Sequence, residues 1–221
     1  MFPERICSLF SQQYPDLDLG NQKDPLDEYL YIVLSLRTHQ KGLDCAFERL
    51  KSRFSSWQDA QEAGPEEIEK AIRPAGLSVQ KSKNIAAALD LIGTEFGEIS
   101  LNALKKIPAI QVEDFLLRLP GVGLKTAKCI MLFSLGFQVL PVDTHVAKIA
   151  IRIGWASKGW SSRKLHDALE SIIPPHLRHQ FHVYCIQHGR KVCRNTSPHC
   201  DQCCVRELCK ANFAFSATAM G

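Results

Sequence analysis

The chain has 221 residues, 45% hydrophobic and 23% charged, with a formal net charge of +4. That is ordinary globular composition with apolar material for a core, so wholesale disorder is excluded. No run reaches the ~18 apolar residues of a membrane span, and no basic segment leads into an apolar stretch at the N-terminus, so no secretory signal is expected.

The elements read as helices. Asp24-Pro25 starts one, with Asp as N-cap, Pro at the first helical position and Asp27 in the first turn. Leu26, Leu30, Val33 and Leu34 then form one helical stripe. Gly64-Pro65-Glu66-Glu67 opens another helix, its acids at the positive end, and Gly76 closes that region. Ile85, Leu89, Ile92 and Phe96 step by 4, 3 and 4 and stop at Gly97. Ser100 caps a short helix holding Leu101 and Leu104, and residues 115–119 form the next apolar face. Residues 124–135 are helical up to Gly136, and residues 144–153 up to Gly154. Ser161 or Ser162 begins a helix carrying Leu165, Leu169 and Ile172 that ends at Pro174-Pro175. A last helix runs through Phe181 and Ile186 toward Gly189. No stretch keeps a period of two, so the expected class is all-α with short connections.

Charge and sulfur are unevenly spread. Residues 141–221 carry 11 basic side chains against 5 acidic, and seven of the eight His. A basic C-terminal third fits an anionic partner, with nucleic acid first, although a merely soluble basic surface has the same composition. Five of the nine Cys fall between Cys193 and Cys209. Without a secretory signal, such a cluster points to metal rather than disulfides. Cys193, Cys200, Cys203 and Cys209 offer four thiolates, suited to tetrahedral zinc or to a [4Fe–4S] cluster. Zinc sites favour two close Cys pairs and only one C-x2-C occurs, which tilts the reading to iron–sulfur. Cys204 is read as a non-ligand, with a swap for Cys203 left open. Arg190, Lys191, Arg194 and Arg206 flank the run, so a metal there would brace a loop that presents charge to phosphates.

Leu119-Pro120-Gly121-Val122-Gly123 separates two helices. Its glycines permit a tight turn and bare backbone N–H groups at the next helix start, so Gly121, Val122 and Gly123 could receive a phosphodiester. A plain helix corner has the same sequence. Lys125 follows in the first turn, where the helix dipole disfavours an ammonium, and a neutral amine forms Schiff bases. Taken alone it reads first as a solvated lysine. Asp143, in Pro141-Val142-Asp143-Thr144-His145, is placed to cap a helix, and its carboxylate could also accept a proton or stabilise charge at a sugar C1′. His145 is a further candidate DNA contact, or a packing residue.

In order, the chain shows L-P-G-V-G-x-K-T-A, V-D-T-H and C-x6-C-x2-C-x5-C. This ordered set resembles the endonuclease III family of DNA glycosylases, over roughly residues 25–212. The resemblance implies two α-domains with a DNA cleft between them. One is a six-helix domain, residues 25–140, holding the hairpin. The other is an iron–sulfur domain built from residues 1–24 and 141–212, which leaves residues 213–221 as a flexible tail. It implies Lys125 as Schiff-base nucleophile, Asp143 as the activating carboxylate, and Cys193, Cys200, Cys203 and Cys209 as ligands of a [4Fe–4S] cluster with a structural or DNA-engaging role. The target nucleotide would leave the stack, the amine would attack C1′, and the imine would permit β-elimination that nicks the strand.

Two departures bear on substrate. Arg37, in Ser35-Leu36-Arg37-Thr38-His39-Gln40, stands where the family usually inserts a Gln into the gap left by the flipped base. The stretch from Phe115-Leu116-Leu117-Arg118 to Asp143, and Arg152-Ile153-Gly154-Trp155 after it, also look like plant 5-methylcytosine glycosylases of the Demeter type. Double-stranded DNA with an oxidised pyrimidine is the default substrate. Modified cytosine, an alkylated base, or a non-catalytic iron–sulfur DNA-binding protein on the same scaffold stand behind it. A monomer in the cytoplasm, nucleoid-associated if bacterial, is expected.

Overall fold

The computed structural model describes residues 3–15, 17, 19 and 21–211; the tail expected at 213–221 lies outside them. Among the described residues every regular element is helical, so the chain is all-α as its periodicity implies. The α-helices are α1 (Pro3–Gln13), α2 (Pro25–Ser35), α3 (Gln40–Arg53), α4 (Trp57–Ile72), α5 (Ser78–Phe96), α6 (Ala109–Arg118), α7 (Leu124–Phe133), α8 (Thr144–Ile153), α9 (Ser162–Ile172) and α10 (Arg178–Lys191).

Punctuation residues set most of these limits. Asp24 accepts the Leu26 and Asp27 amides at 2.9 and 3.1 Å, and Pro25 opens α2. Gly97 and Gly154 close α5 and α8 in left-handed conformations, φ +72° and +94°. Several limits differ from the sequence reading. The start at Gly64-Pro65 is only the second half of α4, which bends at Gly64 (φ +77°) and begins at Trp57 behind a Ser56–Asp59 capping box. The stretch after Ser100 winds into a tighter turn, Asn102–Lys106. Helix α7 stops at Phe133 because the Leu135 amide reaches back to Ile130 O (3.2 Å) and Phe137 to Met131 O (2.9 Å). Helix α10 runs through Gly189 to Lys191. Helices α1 and α3 bury only narrow stripes, Ile6, Cys7 and Phe10, and Leu43, Ala46 and Leu50, too thin to mark them in the sequence.

The chain divides into two compact units, residues 21–137 and residues 1–20 with 138–221. In the first, α4 packs on α5, α2 on α3 and α7, and α6 on α7. Leu30, Leu34, Ile68, Ile72, Ile85 and Leu89 are fully buried there. A buried ion pair, Lys128 Nζ to Glu113 Oε2 at 3.1 Å, crosses from α7 to α6. In the second, α1 and α8 pack on α10 around Ile6, Phe10, Val146, Ile149, Phe181 and Cys185. The Phe10 ring lies 4.9 Å from the His188 ring, and the Tyr14 hydroxyl bonds His188 Nδ1 at 2.9 Å.

Candidate active site and cysteine-lined cavity

The hairpin belongs to the first unit. Gly121 sits at φ +81°, a conformation that a side chain resists, and a Cβ there would approach Asn84 Nδ2 to 3.1 Å. The Val122 amide bonds Leu119 O at 3.1 Å, closing the turn. The Tyr29 hydroxyl donates to Pro120 O at 3.1 Å and fixes the hairpin to α2. Gly123 is the N-cap of α7 and provides no side-chain cap, while the space where its Cβ would stand is open. The first-turn N–H groups are therefore approachable from outside, the arrangement that suits an anionic oxygen.

Lys125 is the second residue of α7 and half-buried. The sequence reading missed its neighbour Glu28. That residue is fully buried on α2 and accepts Asn21 Nδ2 at 2.6 Å and the Gln22 amide at 2.7 Å. Burial raises its carboxyl above the ordinary range, opposed by those two hydrogen bonds and by the charge of Lys125. An acid standing inside the Leu26–Leu30 stripe was the available signal. Arg37 projects from the α2–α3 loop of the same unit, exposed and at φ +54°.

Asp143 belongs to the second unit and caps α8. Its Oδ1 accepts both the His145 amide (3.0 Å) and the Val146 amide (2.8 Å), so Oδ2 stays outside the cap. The His145 ring packs closely against Gly189 of α10, where a Cβ would stand 2.3 Å from its Nδ1. That Nδ1 is buried with no hydrogen-bond partner. Burial lowers the imidazole pKa against the upward pull of Asp143, with Lys148 and Arg190 adding to the lowering. Arg190 and Lys191 end α10 and Arg194 follows, all three exposed.

Cys193, Cys200, Cys203 and Cys209 line one small cavity, partly open to solvent, together with Arg152 and Arg206. Cys204 is not in its lining and packs against the core of the unit. Arg152 Nη1 lies 3.0 Å from Cys193 Sγ and 2.8 Å from Arg194 O. Burial pushes the Cys203 thiol up to about 12, so holding a thiolate there calls for a bound cation. Among the described residues, no three His, Cys, Asp or Glu side chains converge closely enough to grip one metal ion. Four cysteines on one cavity are the donor set of a soft metal or of an iron–sulfur group.

Residues 30–175 match the HhH-GPD superfamily of base excision DNA repair proteins. The chain belongs to that family. This HhH-GPD chain is 30% identical to endonuclease III of Rickettsia conorii over 218 residues, 95% of each chain. It is 33% identical over 189 residues to an Arabidopsis thaliana protein named as a DNA glycosylase, covering 86% of this chain and 63% of that one. A non-covalent endonuclease III–DNA complex and a trapped endonuclease III–DNA covalent intermediate both superpose at TM-score 0.80 and 25% identity, covering 98% of this chain and 99% of theirs. By family, this HhH-GPD chain is a base-excision DNA glycosylase/AP lyase. No helix among its described residues is long and apolar enough to cross a membrane.

Proposed function

We propose that the chain removes an oxidised pyrimidine from double-stranded DNA through an imine on Lys125 and then nicks the strand. The Lys125 amine attacks C1′, forming an N–C bond while the glycosidic bond breaks and the base leaves with its electron pair. The proton released from nitrogen goes to a carboxylate, for which Asp143 Oδ2 is the candidate; the C1′–O4′ bond then breaks as the nitrogen lone pair forms the C=N bond and O4′ takes up a proton, and the resulting imine allows β-elimination of the 3′-phosphate. Gly121, Val122 and Gly123 receive a backbone phosphate, and Arg37, His145, Arg190, Lys191 and Arg194 add DNA contacts. The enzyme acts as a cytoplasmic monomer. The observation that supports this reading best is the start of α7, where a helix with no side-chain cap carries Lys125 as its second residue.

In the same reading, residues 25–140 form the hairpin domain and residues 1–24 with 141–212 the cysteine domain. Cys193, Cys200, Cys203 and Cys209 would hold a [4Fe–4S] cluster, which when bound braces the loop that carries Arg194 and takes no part in base removal. Cys204 stays outside the set. The test is borohydride trapping on duplexes holding thymine glycol, dihydrouracil, 5-methylcytosine, 8-oxoguanine, uracil or an abasic site. A covalent adduct and excision of the oxidised pyrimidines are expected, and no adduct in any lane overturns the Schiff-base reading. Excision of 5-methylcytosine alone would move the substrate to modified cytosine. Absorbance near 400 nm, retained in Cys204→Ser and lost in Cys200→Ser, tests the ligand set.

A further inference from the structure

Lys81 stands in the first turn of α5 and is 4% exposed. Its ammonium donates to Leu34 O at 2.7 Å, Thr38 Oγ1 at 2.7 Å and Ala75 O at 2.9 Å. Three donors meet three acceptors, the full capacity of the group. Among the described residues no carboxylate lies in ion-pair range of it. Burial lowers its pKa from the ordinary lysine value, and the positive end of α5 is an unfavourable place for a cation. The residue is therefore costly where it stands, and its hydrogen bonds show what offsets that cost.

It joins two loops. Leu34 lies in the last turn of α2 and Thr38 in the α2–α3 connection, and Ala75 ends the tight turn Arg73–Ala75 before α5. Each loop carries a non-glycine residue in the left-handed region, Arg37 at φ +54° and Leu77 at φ +49°. Beside Arg37, Leu36 is 45% exposed, and Leu77 is 58% exposed. Strained backbone under exposed side chains persists only where its surroundings over-determine it, and such strain gathers at binding sites. Gly42 shows how closely the loops meet, since a Cβ there would stand 2.6 Å from Pro74 O. One turn further along α5, Asn84 packs under Gly121 of the hairpin. A single helix end thus supports both loops and the hairpin within one unit.

We propose that Lys81 is a positioning residue that locks the Arg37 loop and the Leu77 turn into one rigid edge, pressed into the duplex as the target nucleotide leaves the stack. This rests on the reading of Arg37 as a DNA contact given above. Extrusion costs a few kcal/mol, and an edge already ordered spares the further cost of ordering it on DNA. A single-stranded substrate needs no extrusion and makes no such demand.

The test compares borohydride trapping by the holoenzyme and by Lys81→Met, which keeps the side-chain length and removes every donor. One substrate is a duplex with dihydrouracil and a 2-aminopurine beside it. The other is a single strand with an abasic site. Duplex trapping is expected to fall roughly 10- to 100-fold and single-strand trapping less than about threefold. The 2-aminopurine signal of an opened stack should be lost with the duplex reaction, and Lys81→Arg should restore part of it. Equal loss on both substrates, or loss on neither, overturns the proposal. Should Lys81→Met not fold, Thr38→Val removes one arm of the clamp, and absence of the same split in that variant counts equally against it. A wild-type protein that traps neither substrate instead overturns the Schiff-base reading on which the proposal rests.

Discussion

Helices α7 and α8 begin in opposite ways. The first starts at Gly123, whose missing side chain leaves the opening turn without a side-chain cap. The second starts at Asp143, whose Oδ1 alone satisfies two amides. An open start keeps its N–H groups for an incoming anion, whereas a closed start uses a carboxylate locally and gains stability. The second oxygen of Asp143 lets one residue do both, because the cap fixes the side chain while Oδ2 remains outside it. The chain places its candidate nucleophile behind the open start and its candidate acid on the closed one.

The comparison can be broken most severely at Lys125. Lys125→Met should yield no borohydride adduct and slow strand scission by at least about 1,000-fold, measured on a duplex with an oxidised pyrimidine. Next come two substitutions at Asp143. Both Asp143→Asn and Asp143→Ala should slow base removal by about 10²–10⁴-fold. Only the alanine loses the cap, and so about 1 kcal/mol of stability by denaturant titration, because asparagine caps as well as aspartate. Full activity in Asp143→Asn would show that the residue is a cap and nothing more. The third change closes the open start. Gly123→Asp has room for its side chain. It should cap α7 with no loss of thermal stability, while duplex affinity, read by fluorescence anisotropy, falls about tenfold, or 1.4 kcal/mol. Unchanged affinity would remove the hairpin amides from the DNA interface. The smallest effect is expected at Gly189. Alanine favours a helix interior by up to about 1 kcal/mol, yet its Cβ would press into the His145 ring, and overpacking costs about 1–3 kcal/mol. Gly189→Ala should therefore be neutral to mildly destabilising in the melting temperature, and a clear gain in stability would show that the ring can move away.

Much of the fold was legible because the signals are short. Asp24-Pro25, Gly97 and Gly154 act through hydrogen bonds or dihedrals within a few residues of themselves, so local sequence marks them. Helices α1 and α3 left weaker marks, since each buries one narrow stripe whose partner lies elsewhere in the chain. The bend in α4 shows the same limit. Gly64-Pro65 reads as a beginning, and the Ser56 capping box that starts the helix about two turns earlier carries no apolar run strong enough to announce it.

The candidate site divides along the same line. The order of the hairpin, Lys125, Asp143 and the four spaced cysteines is a property of the sequence, because each motif is local and its chemistry follows from residue type. What only the tertiary structure decided are relations between distant residues. Glu28 lies buried within the influence of Lys125, Gly189 makes room for the His145 ring, and Lys81 joins carbonyls from two loops. Cys203 lines the cavity and its neighbour Cys204 does not, although both pack against the core of the unit. Spacing along a chain states which groups are available, but burial and hydrogen bonding depend on what packs against them, and that is fixed only when the helices meet.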